Sequence, residues 1–283
     1  MSGRSAPRAR FAPGGGMTGL PRFYLPPEQW PPCGPEGGAE VRLEGQEAAH
    51  CRVLRLAPGD GALLLDGRGR IGQCRVLSVD RRDARLELLA WSLWPQPAAR
   101  AVMALALSKA VRRGFFMEKA VELGAAGIWL WQGDHSQGRL PRDAAQSCLG
   151  QMIAGAKQCG NPWLPEVRAC PDIDGIITLA AGADQRILPW EMQEGVPMLE
   201  PAMAGRPGLT VYVIGPEGGF SERELAALRA AAFTPVSLGG RILRCETAAT
   251  LCLGLHWWAS QLPGGPDFRA FAGNGARKDG PLP

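Results

Sequence analysis

The stretch LTVYVIGPEGGFSERELAAL, residues 209–228, decides the fold. Residues 211–214 are an unalternating apolar run, the pattern of a strand buried on both faces in a parallel sheet. The run breaks at GPEGG, and Ser221 with Glu224 three residues on is a capping-box signature that opens a helix. Strand, glycine turn and helix in that order put residues 215–219 at the carboxyl end of a strand, where α/β sheets bind ligands. Gly215, Gly218 and Gly219 carry no side chain, so a ligand can come close to the backbone there. A phosphate does not suit the turn. It lacks the Lys-Ser/Thr of a P-loop and the spacing of a dinucleotide fingerprint, and Glu217 would repel the charge.

A second glycine-bearing bend follows in LGGRILRCETAATLCLGL, residues 238–255. A short strand at 235–238 ends in Gly239 and Gly240, Arg241 and Arg244 bracket two apolar residues, and Glu246 and Thr247 lead a helix over 247–261. Two arginines three apart at the end of a buried strand have no packing reason to be there. Upstream, short apolar runs at 101–107, 128–131 and 187–189 alternate with helical patterns at 115–123 and 144–157, and a further helix spans 221–232. This half is α/β with a largely parallel sheet. A linker at 91–100, holding Pro95 and Pro97, precedes it.

The earlier part has a different rhythm. Runs at 62–65, 73–79 and 84–89, separated by Asp-Gly and Arg-Asp turns, predict a small antiparallel β-barrel or sandwich. Residues 22–89 hold ten arginines against ten acidic residues, so any nucleic-acid contact there comes from local placement rather than bulk charge. Residues 30–40, WPPCGPEGGAE, read as a Pro/Gly-rich surface loop. Four segments result: a disordered basic arm at 1–19 with Arg4, Arg8 and Arg10, a barrel domain at 20–92, an α/β domain at 93–263 and a flexible tail at 264–283.

The whole chain, 283 residues with 46% hydrophobic content, suits two globular domains, and a net charge of +4 permits an RNA partner without demanding one. Eight cysteines form no CxxC pair, which argues against a zinc site or a disulfide framework and for a reducing compartment. No signal-peptide pattern and no apolar run approaching about 18 residues is present, so a soluble, cytoplasmic protein without a membrane partner is expected.

VIGPEGGFS at 213–221 and LGGRILRCETA at 238–248 together resemble the two carboxyl-terminal signatures of the RsmE family, 16S ribosomal RNA (uracil-N3)-methyltransferases of the SPOUT superfamily. RFYL at 22–25, HCRVLRLAPGD at 50–60, MEKAVELGA at 117–125 and KQCGNPWLPEV at 157–167 extend the resemblance over 22–262. It implies a SPOUT methyltransferase domain with a trefoil knot, which binds S-adenosyl-L-methionine and acts as a homodimer, behind a PUA-like RNA-binding β-barrel. The implied partner is 16S rRNA, within the small ribosomal subunit. The implied cofactor loops are 188–191, 215–219 and 238–247, supplying Leu188, Pro189, Gly215, Pro216, Glu217, Gly218, Gly219, Leu238, Gly239, Ile242, Leu243, Thr247 and Ala248.

Methylation at uracil N3 requires loss of the N3 proton, so the site must favour an anion and hold it in line with the methyl donor. Arginine stays protonated and cannot be the base, but it suits an anion flanked by carbonyl oxygens. Arg244 and then Arg241 are the candidate stabilisers of base or phosphate, and Glu246 would position an arginine or accept a proton. Glu246 also stands at a helix start, where the dipole alone favours a carboxylate. Transfer needs no metal, and no spacing signals one. Arg22, His50, Arg52 and Arg55 match family positions that face RNA, with Arg52 and Arg55 on a short helix ending before Pro58. Lys109, Arg112 and Arg113 keep a basic segment where relatives carry a Lys-Gly-Asp-Lys-Met type of run.

Further departures are Asp134-His135-Ser136 in place of Glu-Arg-Ser, and Lys157-Gln158-Cys159-Gly160-Asn161 in place of Glu-Gln-Ser-Gly-Arg. They bear on RNA recognition more than on cofactor binding. Met117, Val121 and Leu123 read as core or dimer packing. Two alternatives stand beside base methylation. Ribose 2′-O-methylation is disfavoured because relatives of that kind place an Asn just after the first strand, and the only asparagines here are Asn161 and Asn274. A non-catalytic RNA-binding assembly protein would be expected to lose the glycine loop or the ETA segment, and both are intact.

Overall fold

The computed structural model describes residues 19–107, 110–137, 139–190 and 195–262, without the side chains of 110–113. The arm before Gly19, the tail at 264–283, Lys109, Glu191 and the side chains of Arg112 and Arg113 lie outside the described residues. The chain divides into two compact units between Pro95 and Gln96.

The first unit contains β1 (Arg22–Tyr24), β2 (Ala39–Glu44), α1 (Gly45–Val53), β3 (Gly61–Leu65), β4 (Arg70–Val79) and β5 (Asp83–Leu93). They form a five-stranded sheet in the order β1-β3-β4-β5-β2. Alternation decides which side of β2 is buried: Val41 and Leu43 enter a core with Phe23, Leu64, Val76, Leu86 and Leu88, while Glu40, Arg42 and Glu44 face water. Three expectations change here. The sheet is not wholly antiparallel, since β1 pairs in parallel with β3, Arg22 opposite Leu63. A three-residue strand is too short to carry a period. Residues 30–40 are not all surface loop, because Trp30 is buried and β2 begins at Ala39. The Arg70 guanidinium lies 5.5 Å from the Trp30 ring and 5.6 Å from that of Trp91, and the two rings meet edge-on at 6.3 Å, contacts that hold the loop down. The expected linker at 91–100 shrinks to 94–98, because β5 continues to Leu93 and the next strand opens at Ala99.

The second unit contains β6 (Ala99–Ala106), α2 (Ala110–Glu122), β7 (Gly127–Trp131), α3 (Ala144–Cys159), β8 (Glu166–Cys170), α4 (Ile173–Leu179), β9 (Gln185–Pro189), β10 (Gly208–Ile214), α5 (Glu222–Ala230), β11 (Thr234–Val236) and α6 (Cys245–Ser260). The six strands are ordered β11-β9-β10-β6-β7-β8, and every pairing is parallel. Val102, Ala104, Ala106, Trp129, Trp131, Val211 and Val213 point to one side and pack with Ile173, Ile176 and Leu228 of α4 and α5. Met103, Leu105, Ile128, Leu130 and Tyr212, at the alternate positions, are also fully buried. Burial of both faces explains why these strands read as continuous apolar runs. Among the described residues no helix is long and apolar enough to cross a membrane.

Topology fixes where a ligand can sit. β11, β9 and β10 are neighbours, and in a parallel array their carboxyl ends open on the same edge. The three segments leaving them are therefore adjacent, although 189 and 238 are far apart in sequence.

Candidate active site

Those three segments enclose a cavity of about 460 Å³, inside the range of roughly 300–1,000 Å³ usual for small-molecule sites. Pro189 and Trp190 line it from β9, Ile214 through Phe220 from β10, and Leu238, Gly239, Arg241, Ile242, Leu243, Cys245 and Ala248 from β11 and the start of α6. Leu225 of α5 closes the base. The two glycine-bearing bends meet in one site.

Each bend is held by its own local chemistry. In the first, Gly219 N–H donates to Pro216 O at 2.9 Å, and Gly219 adopts φ +74°, a left-handed conformation open to glycine at little cost. The helix that follows starts with the expected capping box. Ser221 Oγ accepts from Glu224 N at 3.2 Å, and Glu224 Oε2 accepts from Ser221 N at 2.8 Å. Trp131 stacks on Phe220 with ring centroids 6.0 Å apart, fixing one wall from below. On the opposite wall Trp190 N–H donates to Val236 O at 2.9 Å, and the Arg229 guanidinium lies 5.2 Å from its ring. In the second bend Gly239 N–H donates to Ser237 Oγ at 3.1 Å.

Of the residues proposed for the cofactor from sequence, Pro189, Gly215, Pro216, Glu217, Gly218, Gly219, Leu238, Gly239, Ile242, Leu243 and Ala248 line the cavity. Leu188 and Thr247 do not: Leu188 is fully buried in the sheet core, and Thr247 is exposed on α6. Arg241 lines the cavity and is exposed, whereas Arg244 is exposed at the N-cap of α6 and is not part of the lining. Glu246 is buried in the first turn of α6, and Cys245 Sγ approaches its Oε2 at 3.4 Å. Trp190 and Cys245 fall inside the expected loops 188–191 and 238–247, whereas Ile214, Phe220 and Leu225 lie outside all three and join the lining unannounced. They are apolar neighbours of the motif positions, and only the closing of three loops on one another reveals them.

The candidate RNA residues with described side chains lie in the first unit. Arg22 is on β1, and the His50 ring packs against Phe23 at a centroid distance of 5.2 Å. Arg52 Nη1 donates to Asp80 O at 3.2 Å. Arg55 is not on the helix with Arg52; α1 ends at Val53, and Arg55 takes φ +51° in the turn that follows.

Residues 95–257 match the family model for the RNA methyltransferase domain, and residues 43–89 match that for the RNA methyltransferase PUA domain. A Mycobacterium tuberculosis protein named ribosomal RNA small subunit methyltransferase E is 32% identical over 244 residues, 78% of this chain and 87% of the relative. The chain belongs to the ribosomal RNA small subunit methyltransferase E (RsmE) family. A Neisseria gonorrhoeae structure described as a family enzyme bound to S-adenosyl methionine is 25% identical with a TM-score of 0.70, covering 88% of this chain and 99% of that one. A Legionella pneumophila methyltransferase structure shares the fold, with a TM-score of 0.74 at 24% identity over 85% of this chain and 98% of that one. The two stretches that carry the sequence resemblance, 213–221 and 238–248, are the two bends that enclose the cavity here.

Proposed function

We propose that this chain transfers a methyl group from S-adenosylmethionine to N3 of a uridine in the 16S rRNA of the small ribosomal subunit. The observation that carries the reading is the single cavity enclosed by both signature bends at the carboxyl edge of a parallel sheet. Its lining fits the cofactor. Gly219, where an added Cβ would meet nothing within 4 Å, leaves room, and Phe220, Ile242 and Leu243 offer apolar surface. The Glu217 carboxylate at its rim is the one acidic group in the lining, favourable to a cation and unfavourable to a phosphate.

When bound, S-adenosylmethionine supplies a methyl on a sulfonium, which leaves as a neutral thioether after transfer. The chain's own residues have the remaining task of favouring the uracil anion. Arg241 at the cavity and Arg244 outside it stabilise the base and its flanking phosphates, one on the donor side and one on the RNA side. Glu246, buried in the first turn of α6, positions an arginine or accepts the N3 proton, directly or through water. Lys109, Arg112, Arg113 and, in the PUA-like unit, Arg22, His50, Arg52 and Arg55 contact RNA.

The reading includes the trefoil knot, a homodimer and a cytoplasmic location. Leu251 and Trp258 of α6, Leu262 just beyond it and Phe115 of the adjacent α2 are exposed apolar residues, the kind of surface a second copy covers. Deletion of the gene, followed by nucleoside mass spectrometry of 16S rRNA, tests the substrate. N3-methyluridine should vanish and return with the wild-type gene; its persistence in the deletion strain would rule the substrate out.

A further inference from the structure

The segment after β7, Asp134-His135-Ser136, lies against the glycine turn. β7 and β10 are not neighbours in the sheet, for β6 runs between them. Their exit segments nevertheless join across the end of β6. Asp134 N–H donates to Glu224 Oε1 at 2.8 Å, and Ser221 Oγ donates to Asp134 Oδ2 at 2.6 Å. Arg223 Nη2 reaches Asp134 Oδ1 at 3.2 Å, and its Nη1 reaches Asp174 Oδ2 at 3.5 Å. His135 Nδ1 lies 3.1 Å from Gly219 O. A Cβ added at Gly218 would come within 2.8 Å of the His135 Cβ, so the two backbones touch with no room for a side chain.

Several features set this apart from ordinary helix capping. Glu224 is fully buried, and its two carboxylate oxygens are divided between the two segments, Oε1 on Asp134 and Oε2 on Ser221. A cap alone would use Ser221 and Glu224 and leave residue 134 out. Asp134 has its carboxyl held below the usual aspartate range, first by the Ser221 hydroxyl and then by Arg223, so it is the anion that makes these bonds. The partners are 87 residues apart in sequence, and they converge one residue from the cavity-lining Phe220.

We propose that Asp134 is a positioning residue for the cofactor loop. With Arg223 and His135 it clasps the segment 215–221 from the side away from the cavity and fixes the shape into which the methyl donor binds. The proposal rests on the reading of this cavity as the S-adenosylmethionine site. It also reassigns the Asp134-His135-Ser136 departure from RNA recognition to support of the donor loop. A loop that is only part of the time in its binding-competent shape binds with an affinity reduced to that fraction of the intrinsic value. Loss of the clasp therefore acts on donor binding first.

The test compares wild type with Asp134→Ala, Asp134→Asn and the conservative Asp134→Glu. Calorimetry with S-adenosylmethionine and hydrogen exchange of the amides at 217–221 are measured on the full chain, with thermal melting as a control. Asp134→Ala should weaken donor binding about tenfold and raise the KM for the donor by a similar factor, while kcat at saturating donor stays within about twofold. Amides 217–221 should exchange faster without ligand, amides of β6 and β10 should not, and Asp134→Glu should recover most of the affinity. Unchanged affinity, unchanged exchange at 217–221, or a loss confined to kcat would each overturn the clasp. If Asp134→Ala does not fold, Asp134→Asn, which keeps the volume and removes the charge, decides by the same readouts. Failure of the wild type itself to bind donor would overturn the cofactor reading, whereas normal wild-type binding with unaltered variants would overturn the clasp alone.

Discussion

The His256 imidazole and the Tyr212 hydroxyl meet inside the second unit, Nδ1 to Oη at 3.3 Å, where α6 crosses β10. Gly205 N–H points at the same nitrogen from 3.4 Å, so Nδ1 is the acceptor and the neutral ring is the form that fits. Burial pushes the His256 pKa down from 6.5 to about 4. The sign follows from linkage: between pH 6.5 and about 4 the unfolded chain holds a proton here that the folded chain does not. The stabilising contribution is complete above pH 6.5 and is lost as pH falls toward 4. At pH 5 the loss is on the order of 2 kcal/mol, which for a unit of this size lowers the melting temperature by roughly 4–8 °C relative to pH 7. His256→Phe should flatten that dependence, as read from thermal melts at both pH values. A wild-type melt that does not change over this interval would contradict the assignment.

Gly219→Ala places a Cβ on a residue at φ +74°. Left-handed backbone disfavours a non-glycine residue by about 1–2 kcal/mol. The turn should relax out of its cavity-forming shape, and S-adenosylmethionine binding should weaken about tenfold. Isothermal calorimetry reads this directly; wild-type affinity in the variant would mean that the turn's shape does not matter to the donor.

The two arginines should separate by their positions. Arg244 is outside the cavity lining, so Arg244→Ala should leave donor affinity within about threefold while transfer falls by about a hundredfold or more. Arg241 lines the cavity, so Arg241→Ala should reduce both. Single-turnover transfer to small subunits, set beside donor calorimetry, distinguishes them. Undiminished transfer by Arg244→Ala would remove it from the reaction.

Trp258 is 47% exposed and Leu251 38%, one face of α6 seven residues apart. Leu251→Asp together with Trp258→Asp should convert a dimer into a monomer in sedimentation velocity, with the folded signal in circular dichroism retained. A wild-type monomer, or a dimer indifferent to both changes, would place the interface elsewhere.

How much of this was readable in the sequence depends on the length scale of each signal. β6, β7 and β10 announced themselves because burial on both faces writes an apolar run into contiguous residues. The capping box at Ser221 and Glu224 was readable because both partners lie within one turn. β8 left no such trace: it is a mostly exposed edge strand with Cys170 alone buried, and α4, of seven residues, is too short for a helical period to emerge. Trp30 reads as loop in the sequence because the residues that pack on it, Arg70 and Trp91, arrive from other strands. The cavity's loops could be named in advance, Trp190 within them, but that Phe220 and Leu225 also line it is set by how strand order brings the loops together. The Asp134 contacts with Ser221 and Arg223 depend on two exit segments crossing the end of a third strand, a relation with no local signature.

The most direct measurement is a crystal structure of the full chain with S-adenosylhomocysteine. Ligand density is expected between Pro189–Trp190, the turn at 215–220 and the bend at 238–245, with Arg241 at its border. Density at another place on the chain, with this cavity left to solvent, would contradict the central claim.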